Sequence, residues 1–229
     1  MTNSSDELGE ARNAYARKDY PEALIKYESF LDNTFGDPAR AGVRLSYCLN
    51  EWAILGKVYP EAMDRLVWKK EETFRLLEET QDPRLFHDYL ALCGYAGLKK
   101  EPIESFLLLN EFTPKLAKEC VRYIWDELVE AKLWTVCNSY LNDPEKNLED
   151  AFQKFDVSME ISEDPMCGGD EFKQLIKEWF ITDLSHILLA LKNSNREKEF
   201  EHIRESGFNG IQDRGYPELL KKIKKKISQ

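Results

Sequence analysis

The 229-residue chain is 42% hydrophobic and 32% charged, enough apolar material to bury a core without staples and too much for general disorder. A formal net charge of −10 and a pI near 5.0 exclude nucleic acid and anionic membranes as principal partners, because phosphates are held by a positive field. No apolar run approaches the roughly 20 residues that cross a bilayer, and Met1-Thr2-Asn3-Ser4-Ser5-Asp6-Glu7 lacks the basic start and apolar core of a secretory signal, so a cytoplasmic location with no membrane contact is expected.

From Leu8 onward apolar residues recur at helical spacing, without the strict alternation of strands, so the chain is expected to be all-α. Residues 6–17 place Leu8, Ala11 and Tyr15 on one stripe, and residues 21–31 place Ala23, Leu24, Tyr27, Phe30 and Leu31 on another. Two short amphipathic helices of this kind, parted by Lys18-Asp19-Tyr20, make a helical hairpin. A second hairpin carries Leu45, Cys48, Leu49, Trp52 and Leu55, a break at Gly56-Lys57-Val58-Tyr59, then Met63, Leu66, Val67, Phe74 and Leu77, with Lys70 interrupting the apolar pattern. The third runs from Pro83 through a turn at Gly97-Leu98-Lys99-Lys100 into Ile103, Phe106 and Leu107. Pro83 and Pro102 suit the first helical turn, where a missing N–H costs nothing.

Pro114 opens a fourth hairpin, with Ala117, Cys120, Val121, Ile124 and Leu128 before Trp134, Cys137 and Leu141, and a longer helix begins near Pro144. Residues 161–170, with Pro165, Gly168 and Gly169, form the clearest interruption, and Asp170 is placed to cap the next helix. That helix presents Phe172, Leu175, Ile176, Trp179, Phe180, Leu184, Ile187, Leu188 and Leu191, a stripe so wide that burial between neighbours is expected. A short helix with Phe200 and Ile203, a loop over residues 207–215 and a final amphipathic helix complete the chain. Residues 215–229 hold Lys221, Lys222, Lys224, Lys225 and Lys226 against Glu218, a net +4 that leaves −14 for residues 1–214. Lysines there suit the C-terminal end of a helix dipole, and without arginine or interleaved aromatics they make a weak nucleic-acid or lipid contact.

One segment repeats. Asp19-Tyr20-Pro21-Glu22-Ala23-Leu24 is answered 39 residues later by Val58-Tyr59-Pro60-Glu61-Ala62-Met63, and Gly215-Tyr216-Pro217-Glu218-Leu219 opens the last helix in similar fashion. A period between about 20 and 50 residues marks stacked supersecondary units. Residues 8–38 resemble a tetratricopeptide repeat: Ala11, Ala14 and Ala23 stand where two helices cross, Tyr20 at the elbow, and Tyr27 and Phe30 toward the next unit. The resemblance is partial over residues 44–77 and only hairpin-like over 83–111 and 115–142; the family's glycines are mostly absent and the offset exceeds its usual 34. It implies an all-α, irregular right-handed stack of helix-turn-helix repeats over residues 1–142, with a divergent helical part over 143–229 packed on it as one continuous structural unit.

In that family the first helices of successive repeats line a groove that receives a peptide or a folded partner. On the matching positions the groove residues are Arg12 and Tyr15, then Arg44, Tyr47 and Glu51, then Lys118, Arg122 and Trp125. Tyr, Trp and Arg are also the side chains that most often dominate interface energies, although Tyr15, Tyr47 and Trp125 equally suit packing between repeats.

No phosphate-cradling loop, nucleophile elbow or metalloprotease helix occurs, and His87, His186 and His202 lie on separate helices outside any ligand pattern, so neither metal nor cofactor is expected. Cys48, Cys93, Cys120, Cys137 and Cys167 are read as small hydrophobes and not as disulfide partners. Met166-Cys167-Gly168-Gly169-Asp170, a cysteine near a helix start, is a turn and cap before it is a reactive thiol. The function expected is a non-catalytic scaffold for another protein, with a basic target compatible with the acidic body. One alternative is an immunity-like inhibitor that caps a basic toxin domain, for which charge would speed association. Another is an enzyme on a helical scaffold, which would need a polar pocket around His186, Cys167 or His202.

Overall fold

A computed structural model describes residues 4–164 and 168–228; Cys167 and the residues beside it, Pro165 and Met166, lie outside the described residues. Among the described residues, helix accounts for 83% and no strand occurs. The chain divides into two compact units, residues 1–124 and 125–229, a division that falls inside one helix and not at residue 142.

The first unit is a succession of antiparallel hairpins. Helix α1 (Ser4–Ala16) packs along α2 (Tyr20–Asn33); α3 (Ala41–Val43), a π-helical segment (Arg44–Cys48) and α4 (Leu49–Val58) run as one arm against α5 (Pro60–Thr80); α6 (Pro83–Tyr95) is followed by α7 (Glu101–Phe112) and by α8 (Pro114–Glu130), which runs across the division. Each arm also touches the next hairpin, α2 meeting α4 and α4 meeting α6. The starts follow from local chemistry. Pro21, Pro60, Pro83 and Pro102 all stand in the first turn, and the Asp19 and Asp82 carboxylates accept the backbone N–H groups of Glu22 and Arg84, satisfying donors that a helix end leaves open.

The repeated segment opens a helix at both places, at Tyr20 in the first copy and at Pro60 in the second. Ala23 and Ala62 are both fully buried, allowing the paired helices to approach closely, and Tyr20 and Tyr59 occupy adjacent elbows with ring centroids 6.2 Å apart. The second break is shorter than expected. Helix α4 continues through Gly56, where an added Cβ would lie 3.1 Å from the Met63 side chain, so this glycine permits close crossing and the chain turns only at Tyr59. Lys70, which interrupts the apolar pattern, is buried and bonded to Glu101 and Glu71; Lys69 bridges Asp32 and Glu72 at 2.7 Å each. The hairpins are thus joined by ion pairs as well as by apolar contact.

In the second unit α11 (Asp170–Asn193) is the central element, covered by α9 (Trp134–Tyr140), α10 (Pro144–Ser162), α12 (Glu197–Asp213) and α13 (Leu219–Ile227). Three expectations are corrected here. Asp170 does not cap α11; Gly169, at φ +122°, holds the cap position and Asp170 is the first helical residue, where its charge still complements the dipole. Leu175 and Trp179 remain 45% and 41% exposed, because the neighbours of α11 leave one strip of it open. Residues 207–213 are helix, not loop. Ile203, Gly207 and Ile211 form a buried row on α12, and the glycines serve packing: a Cβ on Gly207 would lie 3.1 and 3.2 Å from the two methyls of fully buried Leu184.

Gly207→Val gains a few tenths of a kcal/mol of helix propensity, but it drives a branched side chain into Leu184 at a typical overpacking cost of about 1–3 kcal/mol. A net loss of stability is expected in urea titration, whereas a loop glycine would tolerate the change.

Candidate interaction surface

Most of the residues expected to line a groove stand in the first unit, on α1, on the π-helical segment, on α4 and on α8. Arg12 on α1 and Glu51 on α4 bond to each other, Nε and Nη2 reaching the carboxylate at 2.7–3.1 Å, and the Tyr27 hydroxyl donates to the same carboxylate at 3.3 Å. The bond to Glu51 raises the Arg12 pKa, while burial foremost, and Glu51 after it, push the Tyr27 phenol up. This cluster joins the first two hairpins at a half-exposed position. Tyr15 packs within the first hairpin, 5.9 Å from Tyr20, whose ring in turn meets Tyr59 of the second.

Arg44 lies elsewhere than expected. It is buried, its Nη1 donating to Asp88 at 2.7 Å, its Nη2 to the other carboxylate oxygen, and its Nε to the Leu31 carbonyl at 2.8 Å. The π-helical turn over Arg44–Cys48 buries Arg44 and Cys48 one turn apart and leaves Tyr47 in solvent. A π-turn inside an α-helix recurs at functional positions. Tyr47 is 61% exposed and begins a row that continues through Glu51, Ile54 and Val58 on α4, with Ile54 and Val58 also exposed. Lys118 and Arg122 are exposed on α8, and Trp125, which belongs to the second unit, is half-buried.

Beside the buried pair opens a cleft of about 230 Å³, lined among others by Phe35, Leu45, Arg84, His87 and Tyr123. The guanidinium carbons of Arg44 and Arg84 stand 5.3 and 5.2 Å from the centre of the Phe35 ring, within cation–π range. His87 stacks on Tyr123 at 4.7 Å with the rings nearly parallel, and burial lowers its pKa. Arg84 is itself bonded to Asp82 at 2.6–3.1 Å. Sequence reasoning did not find Phe35, Arg84 or Tyr123, which come from a loop and two helices with no shared motif.

The remaining polar candidates are structural in geometry. His186 is buried with Nδ1 2.8 Å from Asp126; the bond to His186 lowers the Asp126 pKa. His202 meets Glu145 at 3.1 Å on the surface. Cys48, Cys93, Cys120 and Cys137 are free and buried, and burial pushes their thiols up to about 12, 12, 12 and 11, the opposite of nucleophile activation. No helix among the described residues is long and apolar enough to cross a membrane.

The fold and this surface define an all-helical protein with an exposed aromatic and aliphatic row beside charge-paired arms. Comparison with protein-family models, with curated proteins and with solved structures gives no match.

Proposed function

We propose that the chain is a non-catalytic scaffold that holds a partner protein on the first helices of a divergent tetratricopeptide-like stack in its first unit. The observation that carries this reading is the exposed row of Tyr47, on the π-helical segment, with Ile54 and Val58 on α4, beside the Arg12–Glu51 pair. Exposed apolar side chains in register along one helix cost solvation free energy, and a partner's apolar face relieves that cost. Equivalent placement of Tyr20 with Tyr59 and of Ala23 with Ala62 supports the repeat assignment. High thiol pKa values and histidines engaged with carboxylates or stacked on a ring support a binding role over catalysis. The working location is the cytoplasm.

The test is affinity purification of the native chain with mass spectrometry of what is retained, followed by titration of the purified partner. Tyr47→Ala and Ile54→Asp should each weaken the complex by about 1–2 kcal/mol or more while leaving circular dichroism unchanged. Equal affinities for wild type and both variants would remove α4 from the interface.

A further inference from the structure

The second unit carries an exposed apolar surface of its own. On α11 it presents Leu175 and Trp179, and on α10 Val157 and Ile161, each 49% exposed. The two helices run antiparallel, tied by Lys154 to Asp183 at 2.9 Å toward one end and by Lys173 to Glu163 at 2.7 Å toward the other. Between these ties Ser158 and Trp179 border a common crevice. Ile161 stands one turn beyond Ser158 and Leu175 one turn before Trp179, so the exposed residues of both helices flank one seam. Trp179 is held in place by an edge-on contact with Phe172 at 6.1 Å.

The surroundings are strongly acidic. Glu160, Asp170 and Glu171 are exposed around the seam, while the lysines nearest it, Lys154 and Lys173, are engaged with Asp183 and Glu163. An apolar seam with an acidic border selects a partner of matching pattern, apolar side chains at helical spacing with cations beside them. The chain already binds one such element. Helix α13 buries Leu219, Ile223 and Ile227, packs on α11, and reaches it with Lys222 to Glu178 and Lys226 to the Thr182 hydroxyl. With its own apolar row covered, α13 of a second copy is not available for the same purpose.

We propose that the α10/α11 seam of the second unit docks a lysine- or arginine-rich amphipathic helix of a partner protein, much as the flank beside it docks α13. This surface is distinct from the α4 row and stands whether or not that row binds.

The experiment titrates the full chain with a synthetic peptide of residues 216–228 and with a counterpart in which every lysine is glutamate, followed by tryptophan fluorescence and calorimetry at low and physiological salt. The basic peptide should bind saturably, more weakly as salt rises, and the acidic counterpart should not bind. Leu175→Asp and Ile161→Asp should each weaken binding about tenfold or more. The charge reversal Glu160→Lys with Glu171→Lys, on exposed positions, gives a second readout if an apolar variant fails to fold, and it should flatten the salt dependence. Absence of saturable binding overturns the proposal, as does binding unaffected by these substitutions, which would mean that the peptide displaces α13 instead. Sedimentation showing a dimer that Leu175→Asp dissociates would assign the seam to self-association and overturn it equally.

Discussion

Asp88→Ala should destabilise the first unit by about 3–5 kcal/mol, because it leaves the Arg44 guanidinium buried without its counter-charge. Arg44 and Asp88 are separated by 44 residues and sit on successive arms, with side chains only 5% and 9% exposed. Arg44→Ala should cost a similar amount, since it strands the Asp88 carboxylate and also removes the Nε bond to the Leu31 carbonyl. The double replacement Arg44→Met with Asp88→Leu separates two meanings of the pair. Buried ion pairs replaced together by apolar residues of similar volume are often neutral or stabilising by about 1–4 kcal/mol, so the double variant should recover most of the loss. Urea denaturation followed by tryptophan fluorescence and circular dichroism measures all three. A full-sized loss in the double variant would show that the pair contributes net stability beyond satisfying itself. Small losses in both single variants would contradict the burial.

That expectation reverses the use a sequence reading makes of Arg44, as a groove anchor whose removal leaves the fold intact. An arginine on an amphipathic helix is ordinarily solvated, and nothing local reveals a carboxylate one hairpin further on. Lys70 is the same case: its charge looks like an interruption of the apolar stripe, and only the neighbouring arm supplies Glu101. What was legible was local or repeated. Helical spacing located the elements, first-turn prolines and aspartates their starts, and the Tyr-Pro-Glu-Ala echo the equivalence of Ala23 with Ala62.

Glycine misled where tertiary packing overrode its turn preference. Gly56 and Gly207 sit inside helices because a side chain from a neighbouring helix occupies the space a Cβ would need. The α11 stripe is wide, but its apolar residues divide between a buried core and the open Leu175–Trp179 strip. Helical spacing alone does not tell a helix with four covered sides from one with three. The resemblance names Tyr47 and Glu51, but the exposure of the one and the ion pair of the other are supplied by the folded chain, and the cleft formed by Phe35, Arg84, His87 and Tyr123 has no sequence signal.

The second large effect is expected at Trp52. This side chain is fully buried in the core that joins the first hairpins, in a cluster with Ala11, Tyr27, Leu49, Leu66 and Leu92. Its indole N–H donates to the Ala62 carbonyl at 2.8 Å, which ties α4 to the start of α5 at the repeated alanine. Trp52→Ala removes the largest apolar surface in the cluster and leaves a cavity whose walls come from several helices, so about 3–5 kcal/mol should be lost. Trp52→Phe keeps most of the volume and gives up the one hydrogen bond, worth about 0.5–1.5 kcal/mol, together with part of the packing; its loss should be clearly the smaller. Trp68 supplies the internal comparison, being 44% exposed with the Arg65 guanidinium 3.7 Å from its ring. Trp68→Ala should cost no more than about 1 kcal/mol, the worth of an exposed cation–π contact. Parallel urea titrations of the three variants therefore order them as Trp52→Ala, Trp52→Phe, Trp68→Ala by loss of midpoint. A Trp52→Ala protein as stable as the Trp68→Ala one would mean that the hairpins do not share this core, and the stacked arrangement of the first unit would fall with it.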